Sequence, residues 1–180
     1  MQGQLDSPLT PDGLSQAKRI GQFLKSMIQN NCVVEIISSP LGRAACTAET
    51  ICNELEYDLN QITHDNHLKE ADYGSWGGLT KLEAEKRFPS QFQERKANHW
   101  TYRFPGGESY ADLTSRAIAW FQELNDTGTI KIVVTHEMMS RCIRGHYLNL
   151  DETSTLNLSH KHDHIFVLKN GKIEEIQLPN

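Results

Sequence analysis

Apolar residues recur every three or four positions from Leu14 through Ala17, Gly21 and Leu24 to Ile28, the spacing of one helical face. Thr10-Pro11 stands in front of them, a capping hydroxyl followed by a ring that pre-sets φ at the first helical position. This pattern predicts a helix from Thr10 to Gln29. The stretch VVEIISSP, Val33 to Pro40, is instead short, β-branched and uncharged except for Glu35, as suits a strand buried on both faces of a parallel sheet. Helical spacing returns through Ala45, Ala48, Ile51 and Leu55, so Val33 to Leu55 reads as a strand, a loop and a helix beginning at Gly42.

The same order appears again near the C-terminus. Lys131 to Val134 reads as a second strand, Thr135-His136 stands at its end, and a helix carries Met138 through Leu148. Between the two units lie LTKLEAEKRFP and GGESYADLTSRAIAWFQEL. In the latter, Tyr110, Leu113, Ala117, Trp120 or Phe121, and Leu124 share a face that Glu108-Ser109 opens after the Pro105-Gly106-Gly107 turn. The tail LNLSHKHDHIFVLKNGKIEEIQL reads as two strands about the hairpin signal Asn170-Gly171. Strands alternating with helices predict an α/β fold, a three-layer sandwich with a mostly parallel sheet and helices on both faces.

Composition limits what such a fold can do. At 180 residues the chain is expected to form one domain over 1–180, since a domain of this length buries roughly 70% of its unfolded surface. A net charge of −5 and a pI near 5.9 argue against nucleic acid and anionic membranes as partners and leave small anionic molecules open. No stretch approaches the roughly 20 apolar residues that a bilayer requires. The four cysteines, Cys32, Cys46, Cys52 and Cys142, have no C-x-x-C spacing and follow no apolar signal segment, which points to a reducing cytoplasm. Cys46 and Cys52 are expected to pack in or beside the core.

Candidate chemistry gathers where ligands bind in open α/β sheets, beyond the carboxyl ends of the strands. Ser38, Ser39 and Arg43 fall there from one unit and His136 from the other. Arg43 offers a planar fork that matches a phosphate, and His136 can add a charged hydrogen bond. The same spacing also fits Arg43 paired with a helix carboxylate and His136 as a buried structural histidine. Glu70, in HLKEADYGSWGG, can pass a proton at a leaving oxygen if burial raises its pKa, or it is simply a solvated loop carboxylate. His160, His162 and His164 alternate in an expected strand and so share a face, but with no fourth ligand they predict no metal site.

Taken in order, DSPLT, SSPLGRAACTAETI, LKEADYGSWGG, PGGES and IVVTHEMMSRCIRGHYL closely resemble the histidine phosphatase superfamily, the phosphoglycerate mutase-like proteins, over nearly the whole chain. The resemblance implies phosphoryl transfer through a phosphohistidine, with no cofactor, on a small phosphorylated metabolite, by a monomer or homodimer. It implies that Arg43 and His136 hold the phosphoryl oxygens and that Glu70 protonates the leaving alcohol and then activates the acceptor. Gln2, Gly3 and Tyr73 would line the substrate, Arg103 would meet a distal anionic group, and the backbone of Glu137 and Met138 would border the pocket. A phosphatase is expected over a mutase, because the chain lacks the long insertion before PGGES that resemblance associates with glycolytic mutases.

Two departures from that pattern stand out. Relatives carry an Arg-His-Gly strand ahead of the stretch that matches MQGQLDSPLT, and this sequence does not contain that triplet. The expectation is therefore a fold whose first strand is missing and a chain that forms no phosphohistidine by itself; the alternative is a catalytically inactive module that binds a phosphorylated ligand or a partner. Glu137 stands where the family usually has Gly, and a carboxylate there either repels phosphate or turns outward.

Overall fold

In the computed structural model, which describes residues 1–28, 32–125 and 128–179, the Thr10 hydroxyl accepts Gly13 N–H and starts α1 (Pro11–Met27). The predicted helix end at Gln29 lies outside the described residues. β1 (Val34–Ser38) and α2 (Gly42–Leu55) follow, the latter with the bounds its periodicity predicts. A two-residue strand, β2 (Thr63–His64), leads through a 3₁₀ turn over Asn66–Leu68 into the Glu70 loop. LTKLEAEKRFP and its continuation form two helices, α3 (Lys81–Arg87) and α4 (Pro89–Ala97), because proline cannot continue the helix before it but suits the first turn of the next.

The second half holds α5 (Tyr110–Glu123), β3 (Ile130–Val134), α6 (Glu137–Tyr147) and a short α7 (Glu152–Leu156). The tail is the antiparallel hairpin β4 (His164–Lys169) and β5 (Lys172–Gln177), paired from His164 with Gln177 to Lys169 with Lys172. Only His164 of the three alternating histidines is in a strand; His160 and His162 precede it. His164 Nδ1 lies 2.7 Å from Asp163 Oδ1. Among the described residues no cluster of three metal-ligating side chains forms.

The sheet is parallel in the order β2-β1-β3, with Val34 opposite Ile130 and Ser38 opposite Val134, while β4-β5 forms a second sheet among the described residues. Alternation along β1 and β3 sends side chains to opposite faces. Ile36, Ile132 and Val134 pack with Ala44, Ala48, Ile51 and Cys52 of α2 and with Ile20 and Leu24 of α1. Ile37 and Val133 face Leu113, Ala117 and Trp120 of α5 and Met138, Met139 and Cys142 of α6. Leu14, expected on the buried face of α1, is 41% exposed; Ala17 and Gly21 bury the middle of the helix instead. The fold is thus helices on both faces of a parallel sheet.

A third cluster lies apart from the sheet. Trp76, fully buried, is ringed by Phe88, Phe92, Tyr102 and Phe104 at centroid distances of 5.2 to 5.9 Å. This aromatic core holds α3 and α4 together with the turn that precedes α5 as a cap. Burying a side chain of this size contributes on the order of 2–3 kcal/mol. All four cysteines are free; Cys52 and Cys142 are buried, and Cys46 is half-buried.

Candidate active site

β1 and β3 run side by side, so their carboxyl ends deliver Ser38-Ser39 and Thr135-His136 to one edge of the sheet. The loop after β1 starts α2, whose second residue is Arg43, and the loop after β3 starts α6, whose N-cap is His136. Two helix N-termini and their positive dipole ends therefore converge with an arginine and a histidine. Such a place suits an anion.

The N-terminal loop fixes Arg43. Its Nη2 donates to Gly3 O at 2.7 Å and its Nη1 to Leu5 O at 3.0 Å. Asp6 accepts Gly42 N–H and Arg43 N–H and lies 3.6 Å from Arg43 Nη1, so the guanidinium does pair with a carboxylate, though not one on a helix. Gly3 is buried with φ +57°, and a Cβ there would stand 2.6 Å from the Tyr73 ring. That contact is what lets the loop lie against the Glu70 segment.

His136 is 7% exposed, and its Nε2 is 2.8 Å from Ser39 Oγ. The Ser39 oxygen also accepts Leu41 N–H at 3.3 Å, and a hydroxyl with one proton and two lone pairs can pair with either tautomer of the ring. Burial first, then the charges of Arg43 and Arg116, push the imidazole down to about 3. Without an anion the ring is neutral.

Glu70 is 8% exposed, and burial pushes its carboxyl up; amides of Ala71, Met138 and Met139 and the charge of Arg43 pull the other way. Ala71 N–H donates to Oε1 at 2.9 Å and Met138 N–H to Oε2 at 3.3 Å. The carboxyl therefore sits at the head of α6, two residues past His136. Tyr73 leans over the same place, its hydroxyl donating to Met138 Sδ at 3.2 Å, and burial pushes it up to about 12. An arginine, a neutral imidazole and a buried carboxyl can together hold a tetrahedral anion and move one proton.

Arg43, Glu70, His136, Gly3, Tyr73 and Met138 are thus brought together. Gln2 stands at the edge, its amide donating to Ser7 Oγ at 2.5 Å. Glu137 turns outward and pairs with Arg141 at 2.7 Å. Arg103 does not join the site: exposed and paired with Asp112 in the first turn of α5, it borders a separate cleft of about 350 Å³ beside Asn98 and Tyr102.

The rim holds residues that the sequence alone does not single out. Arg95 Nη2 is 2.9 Å from His99 Nε2, the His99 ring meets Tyr110 edge-on at 5.4 Å, and Arg141 Nη1 donates to Tyr110 Oη at 3.4 Å. Arg95 also lies over Phe104, which packs on Tyr73. Arg95 and His99 fall in a run of basic and aromatic residues before PGGES, too common a pattern to mark a site, while Tyr110 reads only as a face residue of α5 and Arg141 only as part of the helix after His136.

This fold, with its polar crevice beyond parallel strands that each lead into a helix, defines an α/β protein whose ligand-binding edge is built for an anion. The chain belongs to the histidine phosphatase superfamily (branch 1), whose family model matches residues 1–173. It is similar to a probable fructose-2,6-bisphosphatase of Schizosaccharomyces pombe, 30% identical over 156 residues, covering 85% of this chain and 36% of that protein. It is also similar to fructose-2,6-bisphosphatase of Saccharomyces cerevisiae, 31% identical over 147 residues, covering 82% of this chain and 30% of that protein. The chain spans about a third of the length of these curated relatives. Among solved structures, YhfR of Bacillus stearothermophilus superposes with a TM-score of 0.76 at 26% identity, over 98% of this chain and 87% of that one.

Proposed function

We propose that residues 1–180 form one phosphatase-type domain, cytoplasmic as its free cysteines suit, that binds a small phosphomonoester for hydrolysis through a phosphohistidine. The observation that carries the reading is the meeting of Arg43, neutral His136 and the raised carboxyl of Glu70 at the heads of α2 and α6. In this reading Arg43 and His136 grip the phosphoryl oxygens, and a bound dianion raises His136 so that it takes up a proton and becomes a second cation. As the attacking histidine forms an N–P bond and the P–O bond to the alcohol breaks, Glu70, protonated, gives its proton to that alcohol; as carboxylate it then draws a proton from the water that attacks phosphorus, the N–P bond breaks and phosphate leaves.

The attacking histidine belongs to an Arg-His-Gly segment that residues 1–180 do not contain. Turnover needs that segment; binding does not. The two yeast relatives are named for fructose 2,6-bisphosphate, and the rim of Arg95, His99, Tyr110 and Arg141 supplies cations and donors for a second anionic group. We take a sugar bisphosphate as the substrate class. A second reading is a module that binds such a ligand without turnover.

Calorimetric titration with orthovanadate, a phosphoryl mimic, tests the binding that both readings require. Saturable binding lost in Arg43→Ala supports them, and no binding by the folded chain overturns both. A phosphohistidine formed on residues 1–180 by a phosphorylated donor would sink the second reading and, with it, the assignment of the nucleophile to an Arg-His-Gly segment.

A further inference from the structure

We propose that Glu108 and Arg116 are positioning residues that set Glu70, by clamping the loop 66–72 on which it stands. The pair is outside the site, yet most of its hydrogen bonds go to that loop. Arg116, on α5 with its side chain 17% exposed, makes a two-pronged pair with Glu108: Nε to Oε1 at 3.1 Å and Nη2 to Oε2 at 3.0 Å. Its Nη1 donates to His67 O and Lys69 O, each at 2.7 Å, and more weakly to Asn66 O at 3.4 Å; Nη2 reaches Glu70 O at 3.4 Å.

Four backbone carbonyls thus point at one guanidinium, an arrangement whose mutual repulsion only a cation offsets. Glu108 holds the far end of the same loop. Its Oε2 accepts Asp72 N–H at 2.9 Å, and its own N–H donates to Asp72 O at 2.8 Å. The loop is therefore gripped from Asn66 to Asp72 by two side chains that also hold each other.

Glycine makes that grip close. A Cβ at Gly107 would stand 2.3 Å from Asp72 O, and one at Gly74 would stand 2.2 Å from Pro105 O. From the opposite side Gln4 Nε2 donates to Glu70 O at 3.3 Å and Thr135 Oγ1 to Leu68 O at 2.8 Å. Held in this way, the Glu70 carboxyl stays buried against the amides of Ala71 and Met138. Loosening the loop would let water reach it.

That Glu70 handles a proton rests on the function proposed above; that the clamp places it does not. The test follows the Glu70 carboxyl carbon by NMR between pH 4 and 8 in glutamate-labelled protein, with the signal assigned from Glu70→Gln. The groups that face Glu70 leave this window clear: burial holds Tyr73 and Cys142 near 12 and Tyr110 above its ordinary value, and His136 near 3. Arg116→Lys keeps the charge but not the fork, and Glu108→Gln keeps the shape but not the charge.

In both variants Glu70 is expected to titrate lower, nearer an ordinary carboxylate, because burial is the largest influence raising it. Orthovanadate affinity should change less than twofold, since neither residue touches the anion site. A folded variant in which Glu70 titrates as in the parent overturns the proposal. Should Arg116→Lys fail to fold, Glu108→Gln decides alone. Vanadate binding absent from the parent would defeat the proposed function and leave this result readable.

Discussion

His136 makes the folded protein acid-sensitive in a calculable way. Its ring falls from 6.5 in a free chain to about 3 when folded, chiefly through burial. The unfolded chain therefore takes up a proton there first, so the stability due to the neutral ring is complete above pH 6.5 and is lost as pH falls towards 3. Within that window the loss approaches about 1.4 kcal/mol per pH unit. Between pH 6.5 and 4.5 it amounts to about 2–3 kcal/mol, equivalent to about 5–10 °C of melting temperature in a chain of this size. His136→Gln removes the titration while leaving an amide for Ser39. Melting followed by circular dichroism at half-unit steps of pH should show a parent curve that falls more steeply than the variant's across this window. Curves that fall in parallel would refute the assignment of a neutral, desolvated ring.

Other predictions rest on the same geometry. Glu70→Gln removes a carboxyl whose stabilising contribution is present below the ordinary carboxylate range and is lost as pH rises through its raised folded value; the variant should melt higher than the parent at pH 8, and the difference should close by pH 4. Arg43→Lys cannot span Gly3 O and Leu5 O, and orthovanadate affinity measured by calorimetry should fall at least about tenfold. Glu137→Gln removes an exposed carboxylate from the head of α6; vanadate should bind about threefold tighter at low salt, with the gain shrinking in 0.5 M salt. Gly107→Ala forces a Cβ against Asp72 O and should cost about 1–3 kcal/mol in urea unfolding.

Local pattern made much of this structure legible. Helix α2 runs over the predicted Gly42–Leu55, and the hairpin turns at Asn170-Gly171, because a cap, a period or a turn dipeptide acts over a few residues. The strand ends that hold Ser39 and His136 were equally plain, since a buried parallel strand leaves a short β-branched run. Long-range partners left no such mark. Arg116 is 49 residues from His67 and Arg43 is 40 from Gly3, and nothing in their neighbourhoods names those carbonyls. Arg103 is misleading for a different reason: Asp112, nine residues on in the first turn of α5, pairs with it. His160 and His162 alternate like strand residues, yet β4 begins only at His164.

The aromatic cap has a consequence for how such a protein can change over time. Its interior is filled by Trp76 and the rings around it rather than by the residues of the sheet layers, and it meets the Glu70 loop chiefly through Tyr73 and the glycine-lined seam at Gly74 and Gly107. Replacements on α3 and α4 therefore act on the cap first, while the groups at the heads of α2 and α6 stay where the sheet puts them. If the function proposed above holds, substitutions in the aromatic cap and in the sheet layers can accumulate separately, because the two are packed as different cores.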